Sequence, residues 1–246
     1  MFKTIGSYVL AGAVALCGAD AAYAQQQSPA FRVGQDKAPQ TLNFTFGAFV
    51  PKGADGRVEG DVLTFNQTFL TFDIGDFTGV TFGGEYLLPI GRWVELGAGV
   101  SFTQRTAPSV YTDFIANDGS EIQQDLKLRR VPIEFTGRLM PLGPASKVQP
   151  YVGGGLAIIA WRYTETGEFV DFDQGGTIFR DEFTDSGSAV GPVFLGGVRY
   201  ATDAFSVGFE IRYQKADGDL DPVNFVPPKI DLGGWNYQAT FGLRFD

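Results

Sequence analysis

The stretch Gly234-Trp235-Asn236-Tyr237-Gln238-Ala239-Thr240-Phe241-Gly242-Leu243-Arg244-Phe245-Asp246 decides the fold. Trp235, Tyr237, Ala239, Phe241, Leu243 and Phe245 form one face, and Asn236, Gln238, Thr240, Gly242 and Arg244 form the other. Strict alternation describes a strand with one apolar and one polar side. The aromatics crowd the two ends of the apolar face, with smaller residues between them. A strand has this composition when its apolar side meets lipid and its ends sit at the water interfaces. The stretch reads as the closing strand of a membrane β-barrel.

Seven earlier segments repeat the pattern. Leu42, Phe44, Phe46, Ala48 and Val50 alternate with Asn43, Thr45 and Gly47. Val80, Phe82, Gly84, Tyr86 and Leu88 alternate with Thr81, Gly83 and Glu85, and a Pro89-Ile90-Gly91 turn follows. Val94 to Phe102 presents apolar even positions against Glu95, Gly97, Gly99 and Ser101. Val131, Ile133, Phe135 and Leu139 oppose Arg130, Glu134, Thr136 and Arg138. After a turn on Pro141, Gly143 and Pro144, a fifth segment runs from Pro150 to Tyr163. Its Gly153-Gly154-Gly155 and Leu156–Ile159 blur the faces. Phe194, Val198 and Tyr200 oppose Gly197 and Arg199. Beyond a Thr202-Asp203-Ala204 turn, Val207, Phe209, Ile211 and Tyr213 oppose Ser206, Gly208, Glu210, Arg212 and Gln214.

Connections between these segments alternate between long and short. The long ones are expected over Pro51–Asp76, Arg105–Asp125, Thr164–Ser188 and Ala216–Gly233. Short turns on one side and long loops on the other mark an outer-membrane barrel with both termini on the periplasmic side. Val62–Thr71 is apolar enough for a ninth strand. A ninth strand would make the count odd, so the segment is read as loop or as a strand extension above the membrane. The expected fold is all-β, an eight-stranded antiparallel up-and-down transmembrane β-barrel over residues 40–246. No later apolar run is long enough for a helical span, and a closed barrel is the other structure that satisfies every backbone group in lipid.

Residues 1–24 read as a secretory signal peptide: Lys3, an apolar run to about Cys17, and Ala22-Tyr23-Ala24 as the cut site. A lipoprotein signal at Cys17 is the alternative, with Leu16 where a small residue is expected. Cleavage after Ala24 leaves no cysteine in the mature chain. Residues 25–39 are polar, without periodicity, and read as a flexible periplasmic lead-in.

A soluble ligand-carrying barrel also alternates, with its apolar side inward. What separates the cases is the ionic character of the opposing face. It carries Glu85, Glu95, Arg130, Glu134, Arg138, Arg199, Glu210, Arg212 and Arg244, four acids against five arginines. A solvated face seldom needs such matching. An eight-stranded interior is filled by side chains, and ions there must pair. Arginine stays charged and binds carboxylates through two parallel hydrogen bonds. One salt-bridged plug is therefore expected, with Glu95, Arg138, Arg199 and Arg244 towards the periplasm and Glu134, Glu210 and Arg212 nearer the middle.

Strands ending near Glu85-Tyr86-Leu87-Leu88-Pro89, the Gln149-Pro150-Tyr151-Val152-Gly153 segment and the terminal Thr240-Phe241-Gly242-Leu243-Arg244-Phe245 resemble small outer-membrane proteins of the OmpA/OmpX-like β-barrel superfamily. The resemblance implies an outer-membrane location among lipid and lipopolysaccharide. It also implies insertion by the barrel-assembly machinery, which reads a terminal strand normally ending on an aromatic residue. Here Asp246 follows Phe245.

The chain has no histidine. Ser-His hydrolysis thus lacks its general base, and imidazole metal sites lack their ligand. No enzymatic activity and no cofactor are expected. Asp217, Asp219 and Asp221 have the spacing of a calcium loop. Pro222 and Pro228 stand where such a loop needs Gly and Glu, so no metal site is assigned. The pair Asp171 and Asp173 is a lesser version of the same feature. The four loops together carry about −15 against −9 for the whole chain. Such a surface repels nucleic acid and attracts divalent cations or basic partners. The leading expectation is a non-enzymatic, plugged barrel with a structural or surface-interaction role. A narrow channel or small-molecule transport barrel and a soluble periplasmic carrier are the alternatives, and adhesion through the loops is a further possibility.

Overall fold

A computed structural model describes residues 39–172 and 175–245. The signal peptide, Cys17, the lead-in up to residue 38, Asp173 and Asp246 lie outside the described residues. Eight long strands follow one another: β1 (Gln40–Pro51), β2 (Gly79–Ile90), β3 (Val94–Ile115), β4 (Glu121–Leu139), β5 (Val148–Asp171), β6 (Thr177–Ala201), β7 (Phe205–Gln214) and β8 (Gly234–Phe245). Each pairs antiparallel with the next, and β1 pairs with β8 from Gln40↔Phe245 to Pro51↔Gly234. The sheet is therefore closed and leaves no edge at membrane height.

The faces settle the inside-out question. Phe82 is 54% exposed and Phe241 47%, while Glu85, Glu210 and Arg138 are buried. A soluble carrier would show the reverse. On β5 the odd residues face inward, with Tyr151, Ala157, Ile159 and Trp161 buried. This assigns the faces that its glycines obscured.

The expected second and third loops are replaced for most of their length by strand. β3 to β6 run 22, 19, 24 and 25 residues, against 10 to 12 for the other four. About 9–11 residues cross a bilayer, so these four strands continue well beyond it. The alternation keeps its period but changes sign. On β4 the lipid-side residues Val131, Ile133 and Phe135 give way to Arg129, Lys127 and Asp125. Over the same step the interior changes from Arg138 and Glu134 to Leu128, Leu126 and Ile122. Lipid outside places polar groups within, and water outside places apolar groups within.

The other two connections fold inward. Val62–Asn66 forms a short helix, α1, whose first turn is capped by the Asp61 side chain accepting from Thr64 N at 3.1 Å. Leu70–Thr71 adds a two-residue strand to β3 at Tyr111 and Val110. The Val62–Thr71 segment is thus loop structure above the membrane, not a ninth span. Asp217–Asp219 and Lys229–Asp231 form a small hairpin in the last connection.

Candidate functional site

The interior begins with the inward positions of β2 to β7, which converge because an eight-stranded barrel is narrow. Gly97 leaves the room that Glu85 occupies. A Cβ at Gly97 would lie 2.5 Å from both Glu85 Oε1 and Thr136 Oγ1.

From the short-turn end upward the ions form a continuous series. Arg199 donates to Glu95 through two nitrogens, at 3.0 and 2.6 Å, and through Nε to Gln149 Oε1 at 2.6 Å. Arg138 lies 3.5 Å from Glu95, donates to Glu85 at 2.5 Å and pairs with Glu210 at 2.9 Å. Arg212 donates to Glu85 at 2.7 Å and pairs closely with Glu134 and Glu210. Gln214 donates to Glu134, and Arg130 donates to Gln214 Oε1 at 2.8 Å while its guanidinium lies 3.8 Å over the Phe49 ring. Eight of the nine charged residues singled out in the sequence are brought together. Four carboxylates face four guanidiniums, so the buried assembly carries no net charge. Arg130 joins through glutamine and ring rather than through a carboxylate. Arg244 stands at the short-turn end, donating to the carbonyls of Thr202 and Pro144.

Counting charges alone missed the neutral members. Gln238 donates to Glu210 at 2.8 Å and Thr136 to Glu85 at 3.2 Å. Asn236 reaches Gln214 at 3.4 Å, and Tyr151 lies 4.9 Å from the Arg138 guanidinium. The alternation had already placed Thr136, Gln214, Asn236 and Gln238 on the polar face. Tyr151 and Phe49 carried no comparable signal. The space left between Glu85, Glu134 and Arg212 is about 10 Å³, the scale of one water.

Above the ions the interior becomes apolar. Leu126, Leu128, Ile159, Trp161 and Tyr163 from the wall meet Val62, Leu63 and Phe77 from the first connection and Leu220, Phe225 and Leu232 from the last. The Trp161 indole fits between two glycines; a Cβ at Gly218 would lie 2.7 Å from it. A buried polar latch joins the two connections. Asp61 accepts from Arg57 at 2.5 and 2.9 Å and from Asp231 N at 2.7 Å. Asp231 accepts from Val58 N at 2.9 Å and from Gly233 N at 2.7 Å, and pairs with Lys52. Nearby, Glu165 accepts from Asn66 of α1 at 2.7 Å and from Tyr163 at 2.8 Å. Burial pushes the Glu165 carboxyl up from its ordinary range, against the lowering effect of those two donors.

The aspartates with calcium-loop spacing are arranged differently. Asp217 and Asp219 lie on the outer hairpin, and Asp221 caps a turn by accepting from Val223 N and Asn224. Among the described residues no group of three or more acidic side chains is arranged to hold a metal ion.

The outer membrane protein beta-barrel domain matches residues 9–245. The chain belongs to that family. This barrel is therefore an integral outer-membrane protein, with its short turns in the periplasm. No curated protein matches it. Among solved structures it is similar to the outer membrane protein OprG from Pseudomonas aeruginosa, at 16% identity over 85% of this chain and 97% of that one, with a TM-score of 0.48. It is also similar to Neisserial surface protein A, at 13% identity over 85% and 97%, TM-score 0.45. Ail of Yersinia pestis matches at 11% identity over 85% and 99%, TM-score 0.40.

Proposed function

We propose that this outer-membrane barrel is non-enzymatic and closed, with a structural and surface-interaction role. What supports this reading is the series of buried ion pairs across the membrane level, with an apolar cluster above it. An ion crossing the barrel would have to displace buried arginine–glutamate pairs, at the cost of leaving their charges uncompensated. The channel reading needs a continuous lumen, and beside Glu85, Glu134 and Arg212 the space is about 10 Å³, the scale of one water. The surface role rests on the strand tips. Phe114 and Phe172 meet there at 5.3 Å between ring centroids, beside exposed Ile115 and among Asp113, Asp118 and Glu121. The same reading includes export by the leader in residues 1–24 and delivery to the barrel-assembly machinery through β8. Planar-bilayer recording of purified protein tests it. Silence is expected, and a steady conductance would overturn the closed interior.

A further inference from the structure

One panel of the outer wall reverses the acidic character of the extracellular side. Lys127 and Arg129 on β4 and Arg162 on β5 all face outward. The register sets Arg129 directly opposite Arg162, with Gln104 of β3 and Ser186 of β6 completing the row. In the next row Lys127 lies between Thr106 and Thr164. Like charges directly opposite on neighbouring strands destabilise a sheet. The interior of the same barrel answers each arginine with a carboxylate or an amide. On this panel, among the described residues, Lys127, Arg129 and Arg162 make no ion pair and no side-chain hydrogen bond. The arrangement lacks an anion that the protein does not itself provide.

The position of the panel selects the anion. One row towards the periplasm, Arg129 and Arg162 are followed by Val131 and Ala160, and then by exposed Ile133 and Ile158. One row away from the membrane beyond Lys127 stands Asp125. The positive charge is therefore confined to the step where the lipid-facing surface ends, at headgroup height of the outer leaflet. Guanidinium pairs bind phosphate oxygens bidentately, and basic groups bordering a membrane span bind phosphorylated headgroups. A free phosphate would gain nothing from the isoleucine wall below. A lipid would lay its chains there.

We propose that Lys127, Arg129 and Arg162 bind the phosphate groups of an anionic outer-leaflet glycolipid of the lipid A class, whose acyl chains lie against Ile133 and Ile158. The test is native mass spectrometry of folded protein in neutral detergent, titrated with bisphosphorylated lipid A and with the same lipid dephosphorylated. The wild type is expected to retain the phosphorylated lipid. Arg129→Gln/Arg162→Gln is expected to lose affinity by roughly tenfold for each charge-assisted contact removed. Arg180→Gln, nearer the tip of the β5–β6 hairpin and paired with Glu168, should bind as the wild type does. Folding is checked by heat-dependent gel mobility, and the exposed single change Arg162→Gln serves if the double variant fails to fold. Equal retention of the dephosphorylated lipid, or unchanged affinity in the variants, overturns the proposal. Displacement by equimolar inorganic phosphate overturns the lipid assignment in favour of a free-anion site.

Discussion

At the scale of single residues, Arg212 sits at the most constrained point of the interior. It serves three carboxylates, Glu85, Glu134 and Glu210, and all four groups are buried. Removing one partner from a buried ion assembly leaves uncompensated charge and costs about 3–5 kcal/mol. Arg212→Ala is expected to lose on that order in urea unfolding from lipid vesicles. Arg212→Lys should lose most of it, because an ammonium cannot present a fork to three acceptors at once. The contrast is Arg180, 78% exposed and 3.3 Å from Glu168. Arg180→Ala should change the unfolding free energy by less than about 0.5 kcal/mol. Equal losses in Arg180→Ala and Arg212→Ala would mean that the interior pairs do not act as a buried assembly.

At the scale of elements, the first and last connections are joined by side chains rather than by long ladders. Asp61 caps α1, pairs with Arg57 and accepts the backbone of Asp231. Asp61→Ala removes all three contacts, about 1 kcal/mol for the cap and about 3–5 kcal/mol for the broken buried pair. Residues 52–78 and 215–233 are then expected to become protease-sensitive while the barrel keeps its heat-dependent gel mobility. Unchanged digestion would place the hold in the apolar packing alone. The same elements mark where the sequence was legible. Strands at membrane height were readable because lipid outside and ions inside give a pattern of one sign, as on β8 and β4. The extensions of β3 to β6 were missed because Ile122, Leu126 and Leu128 alternate with the opposite sign and resemble an ordinary polar loop. The infolded connections were opaque for another reason. Arg57, Asp61 and Asp231 meet across more than 160 residues of chain, and no local period encodes that meeting.

At the scale of the whole molecule, the two interior layers lie in series along one axis. The ion layer belongs to the wall strands, since its charged members lie on β2, β3, β4, β6 and β7. The apolar layer depends on chain that returns into the barrel, with α1 on one side and Leu220, Phe225 and Leu232 on the other. A ladder-bonded wall opens near the global unfolding free energy, whereas an infolded loop opens at a fraction of it. The outer layer should therefore open alone, without exposing a path, because the ions beneath remain paired. Asp61→Ala, with its connections loosened, is expected to stay as silent as the wild type in planar-bilayer recording. Combining it with Arg138→Ser and Glu85→Ser, which removes an adjacent pair from the ion layer, is the change expected to admit current. A steady conductance from Asp61→Ala alone would show that the apolar layer is the seal and that the arginines and glutamates beneath line a permeable path.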